Sequence, residues 1–188
     1  MKKRGHIRII GGRWKSRRGG VPAGPGVRPS ADALRETLFN WLPRELDGNS
    51  CLDLFAGSGA LGFEAASRGA PKVVMVEPNR AALDALRACR ASLGAHGVEI
   101  FAGTAAKFFR ANANAGEKRG FDIVFLDPPF AAGLLAEACA GLRRGLLNPS
   151  ALVCIESPRA ACPLPIPREW HIIREKRCGI AQIALVQT

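Results

Sequence analysis

From Cys51 to Glu156 the chain alternates short apolar runs with longer stretches whose apolar residues recur every three or four positions. The short runs, rich in Val, Ile, Leu and Phe, predict buried strands at 50–54, 72–77, 97–101 and 121–126. Ala151-Leu152-Val153-Cys154-Ile155-Glu156 predicts a fifth. Between and after them, 59–68, 79–93, 104–112 and 133–143 carry helical spacing. Such alternation implies a parallel sheet with right-handed crossovers and helices on both faces. The tail changes character: Trp170 to Lys176 and Ile180 to Gln187 read as two strands around a turn at Cys178-Gly179, which adds an antiparallel hairpin. Upstream, Ser30 is a good helix N-cap with Asp32 in the positive first turn, Leu34, Leu38, Trp41 and Leu42 form the stripe, and Pro43 stops it. The fold class is therefore α/β, a mostly parallel seven-stranded sheet with an antiparallel C-terminal hairpin.

Ligands of open α/β sheets bind beyond the carboxyl ends of the strands, so the residues there come next. Asp53-Leu54-Phe55-Ala56-Gly57-Ser58-Gly59-Ala60-Leu61-Gly62 is a strand end, a tight glycine turn and a helix start. Glycines at 57 and 59 let backbone approach a ligand, and the helix aims its N–H groups at it. The next strand ends in Glu77, twenty residues past Gly57, where a carboxylate accepts ribose hydroxyls. The same spacing satisfies G-x-G-x-x-G, so a nicotinamide or flavin site competes. Three features favour S-adenosylmethionine. Asp53, four residues before Gly57, can meet the cationic amino group of a methionine moiety, although an acid there can also cap the loop's own amides. No separate substrate domain follows the sheet. The loop after the fourth strand, beside the first in a methyltransferase-type strand order, faces the sulfonium. The cofactor set is Asp53, Phe55, Ala56, Gly57, Ser58, Gly59, Glu77 and Pro78.

That loop is Asp127-Pro128-Pro129-Phe130. Its prolines have fixed φ and no N–H, so it offers carbonyl acceptors on a stiff frame. Asp127 adds a charged acceptor and Phe130 a stacking face, which suits holding a flat heterocycle by its amino group. Asp-Pro-Pro can also simply end a strand. Amino-directed nucleic-acid methyltransferases carry a loop of this type, and Asp127, Pro128, Pro129 and Phe130 are the candidate catalytic residues.

Charge adds a partner. Lys+Arg 27 against Asp+Glu 16 gives +11, and residues 2 to 18 hold eight of these cations with no acid before Asp32. A cationic block without counter-charge seeks a polyanion, with affinity and salt dependence but little sequence selectivity. A solubilising tail is the competing reading. Against it, Ile7, Ile9, Ile10 and Trp14 alternate among the charges and Gly11-Gly12 supplies a turn, so a small β-hairpin ordering on or beside its partner is expected. Residues 1–27, ending in a Pro/Gly linker, are read as this polyanion-binding extension, and 28–188 as the domain that carries the cofactor turn and the proline loop. The 188 residues support one full core. Six cysteines without a C-x-x-C pair, no signal-like leader and no bilayer-length apolar run point to the cytoplasm and away from membranes. His6, His96 and His171 have no ligand neighbours at useful spacing, so no metal is assigned. A monomer is the default for a chain of this size.

With these motifs assembled, the chain resembles the bacterial RsmD family. The resemblance rests on Arg8-Ile9-Ile10-Gly11-Gly12-Arg13-Trp14, on Arg28-Pro29-Ser30-Ala31-Asp32 running into Arg35-Glu36-Thr37-Leu38-Phe39-Asn40, on Asp53 to Gly62, and on Asp127 to Phe130. It implies a Rossmann-like class I fold and methylation, from S-adenosylmethionine, of the exocyclic N2 amine of a guanine in 16S ribosomal RNA. The partner it implies is that RNA, the small subunit or an assembly intermediate, met through Arg8, Arg13, Trp14, Lys15, Arg17, Arg18 and Arg28. One departure stands out: where related enzymes place Asp or Asn for the adenine amino group, this chain has Gly103-Thr104-Ala105. The alternatives are methylation of another RNA or DNA base amine, or a non-catalytic ribosome-assembly factor, which leaves the cofactor residues idle. A nicotinamide oxidoreductase has no use for Asp53, the proline loop or the basic block.

Overall fold

The computed structural model describes residues 6–20, 29–113, 120–129, 133–161 and 163–188. A two-stranded sheet, β1 (His6–Arg8) with β2 (Arg18–Gly20), precedes helix α1 (Pro29–Trp41). The chain then runs β3 (Ser50–Asp53), α2 (Ala60–Ser67), β4 (Lys72–Glu77), α3 (Arg80–Leu93), β5 (Val98–Ala102), α4 (Ala105–Ala111), β6 (Phe121–Leu126), α5 (Leu134–Leu142) and β7 (Leu147–Pro158). It ends with β8 (His171–Cys178) and β9 (Ala181–Gln187). The seven strands order as β5-β4-β3-β6-β7-β9-β8. The first five pair in parallel, and β9 inserts antiparallel between β7 and β8. Strand order therefore reverses between β3 and β6, and the crevice above that reversal is where a ligand of such a sheet binds.

Each sheet face carries its own core. Cys51, Met75, Ile123, Phe125, Cys154 and Leu185 face one side, covered by Phe39 of α1, Phe63 of α2 and Leu86 of α3. Leu52, Val74, Val124, Val153 and Ala184 face the other, covered by Phe108 of α4 and Leu142 of α5. Residues one step apart on a strand point to opposite faces, so strands buried on both sides read as continuous apolar runs. Buried Cys51 and Cys139, both with thiols pushed up to about 12 by burial, act as small hydrophobes here.

Several predicted boundaries move for local reasons. The helices expected from 79 and 104 include their caps: the Asn79 side chain accepts from the Ala82 N–H and Thr104 Oγ1 from the Lys107 N–H. Helix α1 starts at Pro29 rather than being capped by Ser30, at a position where a missing N–H costs nothing. Strand β7 begins at Leu147, ahead of the predicted 151, because Leu147 already pairs with Phe121 of β6, and the register shifts before Leu152 with Ser150 at φ 60.

The N-terminal hairpin is bound into the body of the protein. Ile7, Ile9 and Trp14 belong to the same core cluster as the central sheet. Buried Glu64 of α2 accepts the Ile10 and Gly11 N–H groups at 2.7 and 2.8 Å and the Arg68 guanidinium at 2.8 Å. Ser67 Oγ accepts the Trp14 N–H at 2.9 Å and donates to the Gly11 carbonyl at 2.6 Å. Arg35 of α1 donates to the Arg8 carbonyl at 2.7 Å. Gly12, at φ 72, lies where any Cβ would run into the Ser67 carbonyl. The expected linker, residues 21–28, lies outside the described residues.

Candidate active site

Loops following β3, β4 and β6 meet at the carboxyl edge around a cleft of about 460 Å³. Its wall contains Asp53, Phe55, Ala56, Gly57, Ser58, Glu77, Pro78, Asp127, Pro128 and Pro129, residues separated by up to 76 positions in the chain. Gly59 stands apart from this wall. It caps α2 at φ 78, and a Cβ there would meet Leu86 and Phe63 at 2.5 and 2.8 Å, so it serves the turn and its packing. Gly57, at φ 50, has only the Phe55 carbonyl near its Cβ position, so this backbone is open to a ligand.

Asp53 is 1% exposed. One oxygen, Oδ2, accepts the Gly62 N–H at 3.0 Å, while Oδ1 is buried without a hydrogen-bond partner. Burial pushes this carboxyl up to about 7, the Gly62 N–H opposes that, and the nearby Asp127 and Glu77 charges add to it. The neighbouring Phe55 amide also favours ionisation without closing a hydrogen bond to Oδ1. The two readings of Asp53 thus divide between its oxygens: one caps the loop, and the other is an orphaned acceptor. A buried acceptor of this kind costs stability unless something donates to it. Glu77 accepts from the Gly57 N–H through Oε2 at 2.9 Å and from the Asn79 N–H through Oε1 at 2.7 Å. These bonds fix the carboxylate at the rim, with each oxygen retaining acceptor capacity for a hydroxyl.

Burial pushes Asp127 up to about 6. Beyond it, away from β3, Glu156 near the end of β7 is pushed up to about 7 by burial and by the Asp127 charge. Glu156 is absent from the sequence-derived site. A strand ending on an acid, as 72–77 does at Glu77, was the available signal.

A second cavity of about 820 Å³ shares Phe55, Pro78 and Pro129 with the first and runs between α4 and α5, past Thr104, Ala105 and Phe109. Together the two cavities combine apolar walls at Phe55, Pro78, Pro129 and Phe109 with the unpartnered Asp53 Oδ1. Thr104 Oγ1 is already engaged as the α4 cap.

Of the predicted RNA-facing residues, Arg8, Arg13, Lys15 and Arg17 are exposed on the docked hairpin. Trp14 is corrected to a core residue: it is 7% exposed, and the Arg13 guanidinium stacks on its ring at 4.2 Å. Its large apolar ring is worth more in the core than open to solvent. Phe130, Arg28 and the Arg18 side chain lie outside the described residues. Among the described residues no group of His, Cys, Asp and Glu forms a metal site, and no helix is long and apolar enough to cross a membrane.

The family model described as Conserved hypothetical protein 95 matches residues 7–187. Ribosomal RNA small subunit methyltransferase D of Escherichia coli (strain K12) is 41% identical over 184 residues, covering 97% of this chain and 90% of that protein. The protein of that name from Haemophilus influenzae is 37% identical, covering 98% and 95%. The solved structure of yhhF from Escherichia coli superposes with a TM-score of 0.87 at 40% identity, over 97% of this chain and 98% of that one.

Proposed function

Because the chain belongs to the ribosomal RNA small subunit methyltransferase D family, we propose that it transfers a methyl group from S-adenosylmethionine to the exocyclic N2 amine of a guanine in small-subunit ribosomal RNA. The observation that carries this reading is the orphaned, buried Asp53 Oδ1 in a cleft also lined by Asp127, Pro128 and Pro129. A cation acceptor and an amine acceptor then line one cleft.

The cofactor, when bound, supplies an electrophilic methyl on a cationic sulfur. Asp53 Oδ1 takes its amino group, the free acceptor capacity of Glu77 takes the ribose hydroxyls, and Gly57 lets the backbone close on it. Pro78 and the wall near Thr104 border the adenine. On the other side, the Asp127 carboxylate and the Pro128 carbonyl accept the two N–H bonds of the guanine amine. That amine is a poor nucleophile because its lone pair is delocalised into the ring. Acceptors placed for a pyramidal nitrogen favour the geometry in which the lone pair is released. Asp127, near 6, is largely ionised at neutral pH. It need not be a strong base, since the methylated nitrogen is acidic and its proton can pass late to the carboxylate. Holding nitrogen and methyl at near-attack distance, about 3–3.5 Å, supplies much of the acceleration. Extruding the base costs a few kcal/mol, which Phe130 stacking offsets. Arg8, Arg13, Lys15 and Arg17 grip phosphates away from the base.

The test is transfer of labelled methyl from S-adenosylmethionine to small subunits from cells lacking the gene, followed by digestion to nucleosides. Label in N2-methylguanosine is the expected result. Label in another nucleoside keeps the methyltransferase and discards the target atom, and no label on subunits verified as unmodified overturns the reading.

A further inference from the structure

At the carboxyl edge of the sheet the acids follow strand order: Glu77 on β4, Asp53 on β3, Asp127 after β6 and Glu156 on β7. The first three line the cleft assigned above to the cofactor and the reacting amine, and Glu156 lies outside that wall. The parallel register pairs Phe125 with Cys154 and Leu126 with Ile155, so Asp127, the first residue after β6, continues toward Glu156, whose carboxyl feels the Asp127 charge. Phe125 and Cys154 face the same core, and Glu156, two residues past Cys154 within β7, returns to that face, with β6 and β7 about 4.8 Å apart. Glu156 is half-buried, and its carboxylate makes no hydrogen bond or ion pair among the described residues. Its nearest charged influence is another acid. A carboxylate placed there costs stability, which is the expected signature of a group kept for a ligand.

Resting on the reaction assigned above, we propose that Glu156 is the specificity-determining residue for guanine, accepting the base's N1–H while Asp127 and the Pro128 carbonyl hold the adjacent amine. An extruded base is read on its Watson–Crick edge. Guanine presents two neighbouring donors there, N1–H and the 2-amine, and two neighbouring carboxylates match them. Adenine presents a bare acceptor at N1, which faces a carboxylate lone pair to lone pair. With the cofactor on the β3–β4 side of Asp127, the base occupies the β7 side, and Glu156 is the acid there.

The experiment replaces the methylated guanosine, by splinted ligation of the small-subunit RNA, with 2-aminopurine riboside. This base keeps the 2-amine and loses the N1–H. The readout is the ratio of kcat/KM for the two RNAs, compared between wild type, Glu156→Gln and Glu156→Ala. An unmatched polar group in a site built to pair it is rejected strongly, so wild type is expected to favour guanosine by at least about tenfold. The Gln side chain offers N1 either an acceptor or a donor, so Glu156→Gln brings the ratio to within about threefold of unity. Glu156→Ala loses guanosine turnover while 2-aminopurine turnover changes little. Melting temperature and S-adenosylhomocysteine binding verify that each variant is folded. Folded variants that keep the wild-type ratio while guanosine is methylated overturn this inference alone. Failure of wild type to methylate guanosine overturns the assigned reaction and this inference with it.

Discussion

Replacing Asp53 by Asn separates the cost of the cleft from its use. The carboxyl moves from 3.8 to about 7 on folding, with burial the largest cause. At about 1.36 kcal/mol per pKa unit, roughly three units correspond to about 4 kcal/mol set against the ionised form in the folded protein. The sign follows from proton linkage: between about 4 and about 7 the folded chain holds the proton that the unfolded chain has released, so stability falls as pH rises through that window. Asn removes this slope but leaves an amide N–H₂ where Oδ1 now lacks a partner, a cost of about 1–3 kcal/mol. Asp53→Asn is thus expected to stabilise the ligand-free protein by about 1–3 kcal/mol at pH 8 and not at pH 4. At about 2–4 °C per kcal/mol for a chain of this size, Tm rises by roughly 2–12 °C at the higher pH. Affinity for S-adenosylhomocysteine, which carries the same amino group, falls by about 2–5 kcal/mol, roughly thirtyfold or more. Thermal scans from pH 4 to pH 8 and calorimetry read both quantities. A lower Tm at pH 8, or unchanged affinity, would refute the assignment of Oδ1 to a cation.

Three further outcomes follow from the site and the hairpin. Asp127→Ala is expected to lower single-turnover methyl transfer by about 100-fold or more, the scale for losing one preorganised polar group, with S-adenosylhomocysteine binding nearly intact; wild-type turnover in this variant would remove Asp127 from the chemistry. Glu77→Ala frees two backbone N–H groups and loses the ribose acceptor, so calorimetry should show weaker cofactor binding, and equal affinity would sink the ribose role. Replacing Arg13, Lys15 and Arg17 with Ala should flatten the salt dependence of RNA binding by about 0.7–0.9 in slope per lost phosphate contact; an unchanged slope would place the RNA elsewhere.

The alternation of strands and helices was legible because strands buried on both faces leave continuous apolar runs, and because caps such as Asn79 and Thr104 mark helix starts. The meeting of Gly57 and Glu77 was legible because the two follow consecutive strand ends, where local spacing becomes spatial contact. The hairpin was less so. Its charges read as solvent-seeking, and its attachment depends on Glu64, 54 residues from Ile10, which in sequence is an ordinary helical acid. Trp14 was misplaced for the same reason, since the groove that buries it is made by α2 and its neighbours. Glu156 carried a local signal, an acid closing an apolar run as Glu77 does, but its partnership with Asp127 depends on which strands become neighbours, and apolar periodicity sets the strands but not their order.

The orphaned oxygen of Asp53 also governs how this protein will behave in a calorimeter. A ligand bearing a cationic amino group needs this carboxyl ionised, so at pH values near or below 7 binding expels a proton. The measured heat then includes protonation of the buffer and differs between phosphate and Tris at identical affinity. Repeating the titration in two buffers turns that nuisance into a count of the protons released, which reports the charge state of the cleft without any mutation.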